Sequence, residues 1–327
     1  VDFGKGNLRN DILEWAEDGR IEPHNVEAAL RTADVIPNGT AWRRFIGDLF
    51  IWLGAALIAA GIVFFLAYNW QELGRFAKFI LVEALLAAAV AISWFYGLEK
   101  TVGKASLLAA SLVTGALLAL FGQTYQTGAD PWELFAVWAL LILPWVLTAR
   151  LAALWLIWLA LINVAATLYG MVLRGFFGWF GDHRSLLWSL FMLNTIALLI
   201  WESLALYGID WLRPRWGART VATVNGICAS ILAVWWVFEA RDIGYAALPI
   251  YLLWMGTAYW FYRYRLPDLY VLAAGVLSAI VVITALLSRY LLHDSHAGGF
   301  LLIGLVIIGL SAGGAIWLKG INEEMKA

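Results

Sequence analysis

From Asp48 onward the chain repeats one pattern about ten times: a run of roughly 17 to 25 mostly apolar residues, closed by a short polar connection. At ~1.5 Å of rise per residue, such a run crosses the ~30 Å hydrocarbon layer of a bilayer as a helix. In lipid a helix satisfies its own backbone polar groups, which an irregular segment does not. The spans are expected over 48-69, 76-96, 105-122, 132-148, 151-170, 186-207, 218-238, 244-262, 269-288 and 298-318. Only Arg150 separates the fourth from the fifth, and Pro144 is placed to kink the fourth. With 63% hydrophobic and 14% charged residues among 327, and a mean hydropathy of +0.79, the composition excludes an ordinary soluble fold. The expected fold class is all-α: a polytopic integral membrane bundle of about ten transmembrane helices.

The remaining residues, 1 to 41, are polar and charged. Leu8, Ile12 and Trp15 recur at helical spacing, Gly19 stops that helix, and Pro23 opens a second carrying Val26, Ala29 and Leu30. The expectation is a small cytosolic helical hairpin over 1-41 ahead of a transmembrane domain over 42-327, with the first span rather than a cleaved leader starting insertion. The hairpin is either a cap on its own membrane domain or a docking module for a protein partner. Basic residues set the orientation. With the N-terminus inside, the inner side holds about twelve (Arg43, Arg44, Lys100, Lys104, Arg150, Arg213, Arg215, Arg219, Arg263, Arg265, Lys319, Lys326) against about six outside. Both termini are therefore expected in the cytoplasm. A faint echo between residues 130-137 and 267-274 raises a five-plus-five repeat over 48-170 and 186-318, the architecture of many secondary transporters.

The densest polar interruption runs from Phe121 to Trp132, through Gln123, Thr124, Tyr125, Gln126, Thr127 and Asp130. These groups follow an apolar run directly, at the expected outer membrane boundary, where they need partners. Within the spans, Glu83 and Glu202 are the ionisable candidates for holding a proton or a cation, and Asn163, Asn194 and Asn225 either line a cavity or bond one helix to another. The candidate ligand- or ion-binding set is thus Glu83, Gln123, Tyr125, Gln126, Asp130, Glu202 and Asn194. Asp182, His183, His293, Asp294 and His296 fall in outer loops, a combination that suits a transition metal, but the helix-borne His-Glu-x-x-His motif is absent and solvated loop residues are the expectation. No catalytic, metal or cofactor site is assigned, since there is no P-loop, nucleotide fingerprint or nucleophile elbow. A net charge of −1 offers nucleic acid no attractive field, and the single Cys228 lies within an apolar run.

The N-terminal hairpin with Trp15 and Gly19-Arg20-Ile21, Gly47-Asp48 opening the first span, Tyr68-Asn69-Trp70 closing it, and Phe121-Gly122-Gln123-Thr124-Tyr125-Gln126-Thr127-Gly128 after the third form a combination. Over residues 8 to 150 it resembles a bacterial family of predicted membrane proteins, domain of unknown function 2157. The resemblance implies a bacterial inner-membrane protein with a cytosolic N-terminus, and no activity or catalytic residues. Two functional expectations follow from the residues. One is a transporter or lipid-handling protein whose outward-facing polar cavity takes a small polar solute or a lipid headgroup. The other is a non-catalytic membrane scaffold or assembly factor.

Overall fold

A computed structural model describes residues 3–33, 35–36, 39–68, 74–126, 128–177, 183–291 and 297–325. Every regular element among them is helical: α1 Phe3–Glu17, α2 Val26–Thr32, α3 Gly39–Tyr68, α4 Arg75–Tyr96, α5 Thr101–Tyr125, α6 Pro131–Ala149, α7 Ala152–Phe177, α8 His183–Leu206, α9 Arg215–Ile243, α10 Ala247–Trp260, α11 Leu269–Leu291 and α12 Ala297–Glu324. Nine of these, α3 to α9 with α11 and α12, carry a stretch long and apolar enough to cross a membrane. The remaining expected span, 244-262, corresponds to α10, which has only 14 residues and continues as a five-residue π-helix, Phe261–Arg265. Alone, α10 would rise ~21 Å, short of the hydrocarbon thickness.

The N-terminal hairpin forms as its spacing implies. Gly19 leaves α1 with a φ of +72°, a left-handed value that favours glycine, and Pro23 opens a single 3₁₀ turn before α2. Ile12 and Leu30 are buried, while Leu8 and Trp15 on the same stripe of α1 stay exposed.

The chain divides into two compact units, residues 1–162 and 163–327. In the first, α5 is the hub, packing against α3, α4 and α6. It can do so because its buried face is built of small residues: Gly103, Ala105, Ala110, Ser111 and Gly115. The indole of Trp138 on α6 lies so close to Gly115 that an added Cβ would sit 2.3 Å from it, and its Nε1 donates to the Ser111 carbonyl at 2.8 Å. Trp158 on α7 repeats the device, donating to the Ala139 carbonyl at 3.1 Å. In lipid, such close approach and such indole bonds take the place of a hydrophobic driving force between helices. The small residues Gly54 and Ala55 of α3, by contrast, are not buried. Pro144 lies inside α6, which runs through it to Ala149.

In the second unit α9 is the hub, flanked by α8, α10 and α11, with α12 against α11. Its buried face is again mostly small: Ala218, Val221, Ala222, Ala229 and Ala233. The backbone of α9 breaks at Glu239, where φ and ψ are −136° and 58°.

Candidate functional site

The polar stretch of the first unit is largely helical. Gln123, Thr124 and Tyr125 form the last turn of α5, and Gln126 is its left-handed cap with a φ of +42°. Asp130 precedes α6 without a side-chain capping bond. Thr127 lies outside the described residues. Gln123, Tyr125, Gln126 and Asp130 are all exposed. Tyr125 packs its ring on Phe121 at 4.8 Å and on Phe79 of α4 at 6.0 Å. Phe79 is one turn from Glu83, which is also exposed and makes no hydrogen bond or ion pair among the described residues. The first unit thus gathers Tyr125 near the α4 face that carries Glu83, without enclosing these groups. Asp182, His293, Asp294 and His296 lie outside the described residues, as does the side chain of His183. Among the described residues no three His, Cys, Asp or Glu are grouped to hold a metal.

The second unit places Glu202 in a buried charge network. Glu202 lies about one turn before the end of α8, Arg215 and Arg219 are one turn apart at the start of α9, Tyr262 is in the π-helix, and Asp268 precedes α11. Arg215 donates from Nη1 to Glu202 Oε2 at 2.8 Å and from Nε to Asp268 Oδ2 at 3.0 Å. Arg219 donates from Nε to both oxygens of the same Asp268 carboxylate, at 3.1 and 3.0 Å. The other Glu202 oxygen accepts from the Tyr262 hydroxyl at 2.8 Å, and Asp268 Oδ1 accepts from the Tyr270 backbone N–H at 3.1 Å. Both carboxylates are almost fully buried, at 6% and 1% side-chain exposure. Two guanidiniums and two carboxylates sum to zero charge, which is what allows four such groups away from water. The π-helix matters here: one residue per turn more than an α-helix turns Tyr262 toward Glu202, and such insertions recur at functional positions. The tyrosine rings complete the assembly, with Arg215 5.7 Å from the Tyr262 ring centre and Arg219 5.5 Å from that of Tyr270.

Two sets of donors in this network are left over. Arg215 Nη2 is buried without an acceptor. Arg219 spends only Nε on Asp268, and its side chain is 31% exposed.

Deeper in the same unit the asparagines act between helices. Asn163 and Asn194 exchange amide bonds at 3.3 and 2.7 Å, and Asn194 also donates to the Leu190 carbonyl at 2.8 Å. Asn225, in the amide orientation that satisfies all its neighbours, donates to Thr195 Oγ1 at 3.3 Å and accepts from Trp254 Nε1 at 3.2 Å. Asn194 therefore bonds one helix to another. Substituting Asn194 with Leu is expected to lower stability by about 1 kcal/mol, the usual worth of one interhelical side-chain pair in a membrane. A matched Asn163→Leu/Asn194→Leu double variant, read by apparent Tm in detergent, should recover part of that loss, because neither amide is then left unpaired.

Beside the network lies a cavity of about 620 Å³, walled by α9, α10, α11 and Trp317 of α12. Its α9 wall is the stripe Ala222, Thr223, Gly226, Ile227, Ser230 and Ile231. The polar atoms within it satisfy one another. Ser230 donates to the Gly226 carbonyl at 2.7 Å, so Ser278 donates to Ser230 at 2.7 Å and Tyr251 to Ser278 at 2.9 Å. Every proton in that relay is used, and the rest of the lining is mostly aliphatic, aromatic and thioether, with Thr223, Tyr259 and Tyr270 as its other hydroxyl-bearing residues.

Of this network the sequence marks Glu202, whereas Arg215 and Arg219 read there as orientation charges and Asp268 only as part of the faint 267-274 echo. A usable signal existed: two arginines four residues apart share one helix face, and an aspartate one residue before a span needs a cationic partner.

The fold and the buried network together define a multi-pass helical membrane protein. Residues 13–155 match the family described as predicted membrane protein (DUF2157), in line with the resemblance seen over residues 8 to 150. No curated protein and no solved structure matches the chain. The family match ends within α7, so the charge network and the cavity both lie outside it.

Proposed function

We propose that this is a lipid-handling protein of the bacterial inner membrane, with both termini in the cytoplasm, whose second unit takes a hydrocarbon chain from the surrounding bilayer. One observation carries the reading: a cavity of about 620 Å³ with an almost wholly apolar lining, set among helices long enough to lie in the membrane. That volume is in the range of small-molecule sites, about 300–1,000 Å³. For a cavity between membrane-crossing helices the neighbouring medium is lipid, and its Ser230–Ser278–Tyr251 relay offers a polar solute no unused proton. The reading moves the working site from the exposed Gln123–Asp130 region to the second unit. Glu83, Gln123, Tyr125, Gln126 and Asp130 remain candidates for a separate contact in the first unit. The basic-residue bias supports the orientation, and the family resemblance supports the bacterial membrane.

The test is native mass spectrometry of the full chain released from nanodiscs of defined lipid. A retained lipid at one per chain is expected, lost on Gly226→Phe. An added Cβ at Gly226 meets only Trp254 of the cavity wall, at 3.6 Å, so the new side chain starts without a clash and on the cavity side of α9. Equal lipid retention by the two proteins, or none by either, would sink the proposal.

A further inference from the structure

Building on the lipid-binding reading, we propose that the Arg219 end of the cavity recognises the phosphate of a phosphate-bearing lipid whose hydrocarbon chain lies along α9. Thr223, the lining residue of α9 that carries a hydroxyl nearest Arg219 in the chain, is one turn from it on the same helix face. From Arg219 to Ile231 that face runs roughly 18 Å, a length suited to one extended chain below a headgroup. A ligand there meets carbon over most of its length and charge only at one end.

The donors at that end are unspent. Both Nη groups of Arg219 lack an acceptor among the described residues, and its side chain is open to approach. Tyr270 adds a movable proton. Thr223 gives its own proton to the Arg219 carbonyl at 2.8 Å, so the proton in the 3.1 Å contact between Thr223 and Tyr270 belongs to Tyr270. That contact is long for two hydroxyls, and a charged phosphate oxygen is the stronger acceptor. The nearby carboxylate does not repel the anion strongly. Asp268 is held by two guanidiniums and a backbone N–H, and the four charges of the network cancel. Arg215 Nη2, buried and unpaired beside the same carboxylate, is a further donor within the cluster.

The experiment compares three probes on the full-length protein in detergent: dioleoyl phosphatidic acid, dioleoylglycerol with identical chains, and sodium phosphate alone. Affinities come from native mass spectrometry titration, with ligand-dependent thermal shift as the second readout. The phosphate lipid is expected to bind about tenfold or more tightly than the diacylglycerol, the worth of one hydrogen bond to a charged group. Arg219→Gln should erase that preference while leaving diacylglycerol binding intact, and Arg219→Lys should restore part of it. Tyr270→Phe, which keeps the ring under Arg219, should weaken the preference in a protein that still folds. Equal binding of the two lipids by the unaltered protein, or a preference untouched by both Arg219→Gln and Tyr270→Phe, overturns the headgroup assignment and leaves the lipid-binding reading standing. Binding of neither lipid overturns both. Stabilisation by sodium phosphate equal to that by the phosphate lipid overturns the lipid source in favour of a soluble anion.

Discussion

Replacing Asp268 with alanine is expected to be the most damaging single change in the second unit, costing about 3–5 kcal/mol, because it removes one partner of a buried ion cluster. Arg215 and Arg219 both donate to this one carboxylate, which is 1% exposed, so its loss leaves both guanidiniums short of an acceptor, Arg215 in a place where water has little access and Arg219 at its more open edge. The start of α11 would also lose the bond that Asp268 accepts from the Tyr270 N–H. The measurement is the apparent Tm and the midpoint of detergent-driven unfolding. Asp210→Ala is the control, since its ion pair with Arg213 at 3.0 Å is solvent-exposed and contributes little. A melting point for Asp268→Ala indistinguishable from that of Asp210→Ala would mean the network does not hold α9 to α11.

In the first unit the largest effect is expected at Gly103. A methyl group there would lie 2.1 Å from the Gly97 carbonyl oxygen and 2.9 Å from its carbon, and both belong to backbone. Nothing flexible can give way. Gly97 itself holds a φ of +75° in the tight connection from α4 to α5, so the turn has no alternative conformation close by. Gly103→Ala should therefore cost about 3 kcal/mol, at the upper end for overpacking. Gly122→Ala, in the same helix with nothing within 4 Å of the added carbon, should be neutral or stabilise by up to about 1 kcal/mol through helix propensity. Comparing the two by protease resistance in detergent separates steric contact from helix propensity, since the propensity change has the same sign at both sites. Equal behaviour would show that the α4–α5 connection is looser than its geometry implies.

How much of this was legible in the chain differs by residue. Gly19 and Pro23 announced the turn of the N-terminal hairpin because each restricts its own backbone, whatever surrounds it. Glu202 announced itself as an ionisable group inside a span, and it does sit in a buried network. Its partners were not legible. Arg215 and Tyr262 are 13 and 60 residues away and meet it only through the packing of α8, α9 and the π-helix, and Asp268 is joined to it only through Arg215. The run Gln123–Tyr125 read as a loop because it is polar, yet it is the last turn of α5, since helix geometry continues until the backbone turns left-handed at Gln126. The short α10 read as a full span because hydropathy cannot register a change from α to π winding.

That this protein is helical, that it crosses the membrane many times, and where nearly every crossing lies all follow from the order of its residues. Transfer into lipid is summed over consecutive residues, and a run of about 20 apolar ones supplies it without reference to the rest of the chain. Only the tertiary structure decided which polar residues meet, which helix is the hub of each unit, and where a cavity opens. A membrane helix is apolar on nearly every side, so no hydrophobic stripe tells which face turns inward; that rotation is settled by small residues, indoles and paired charges contributed by other helices.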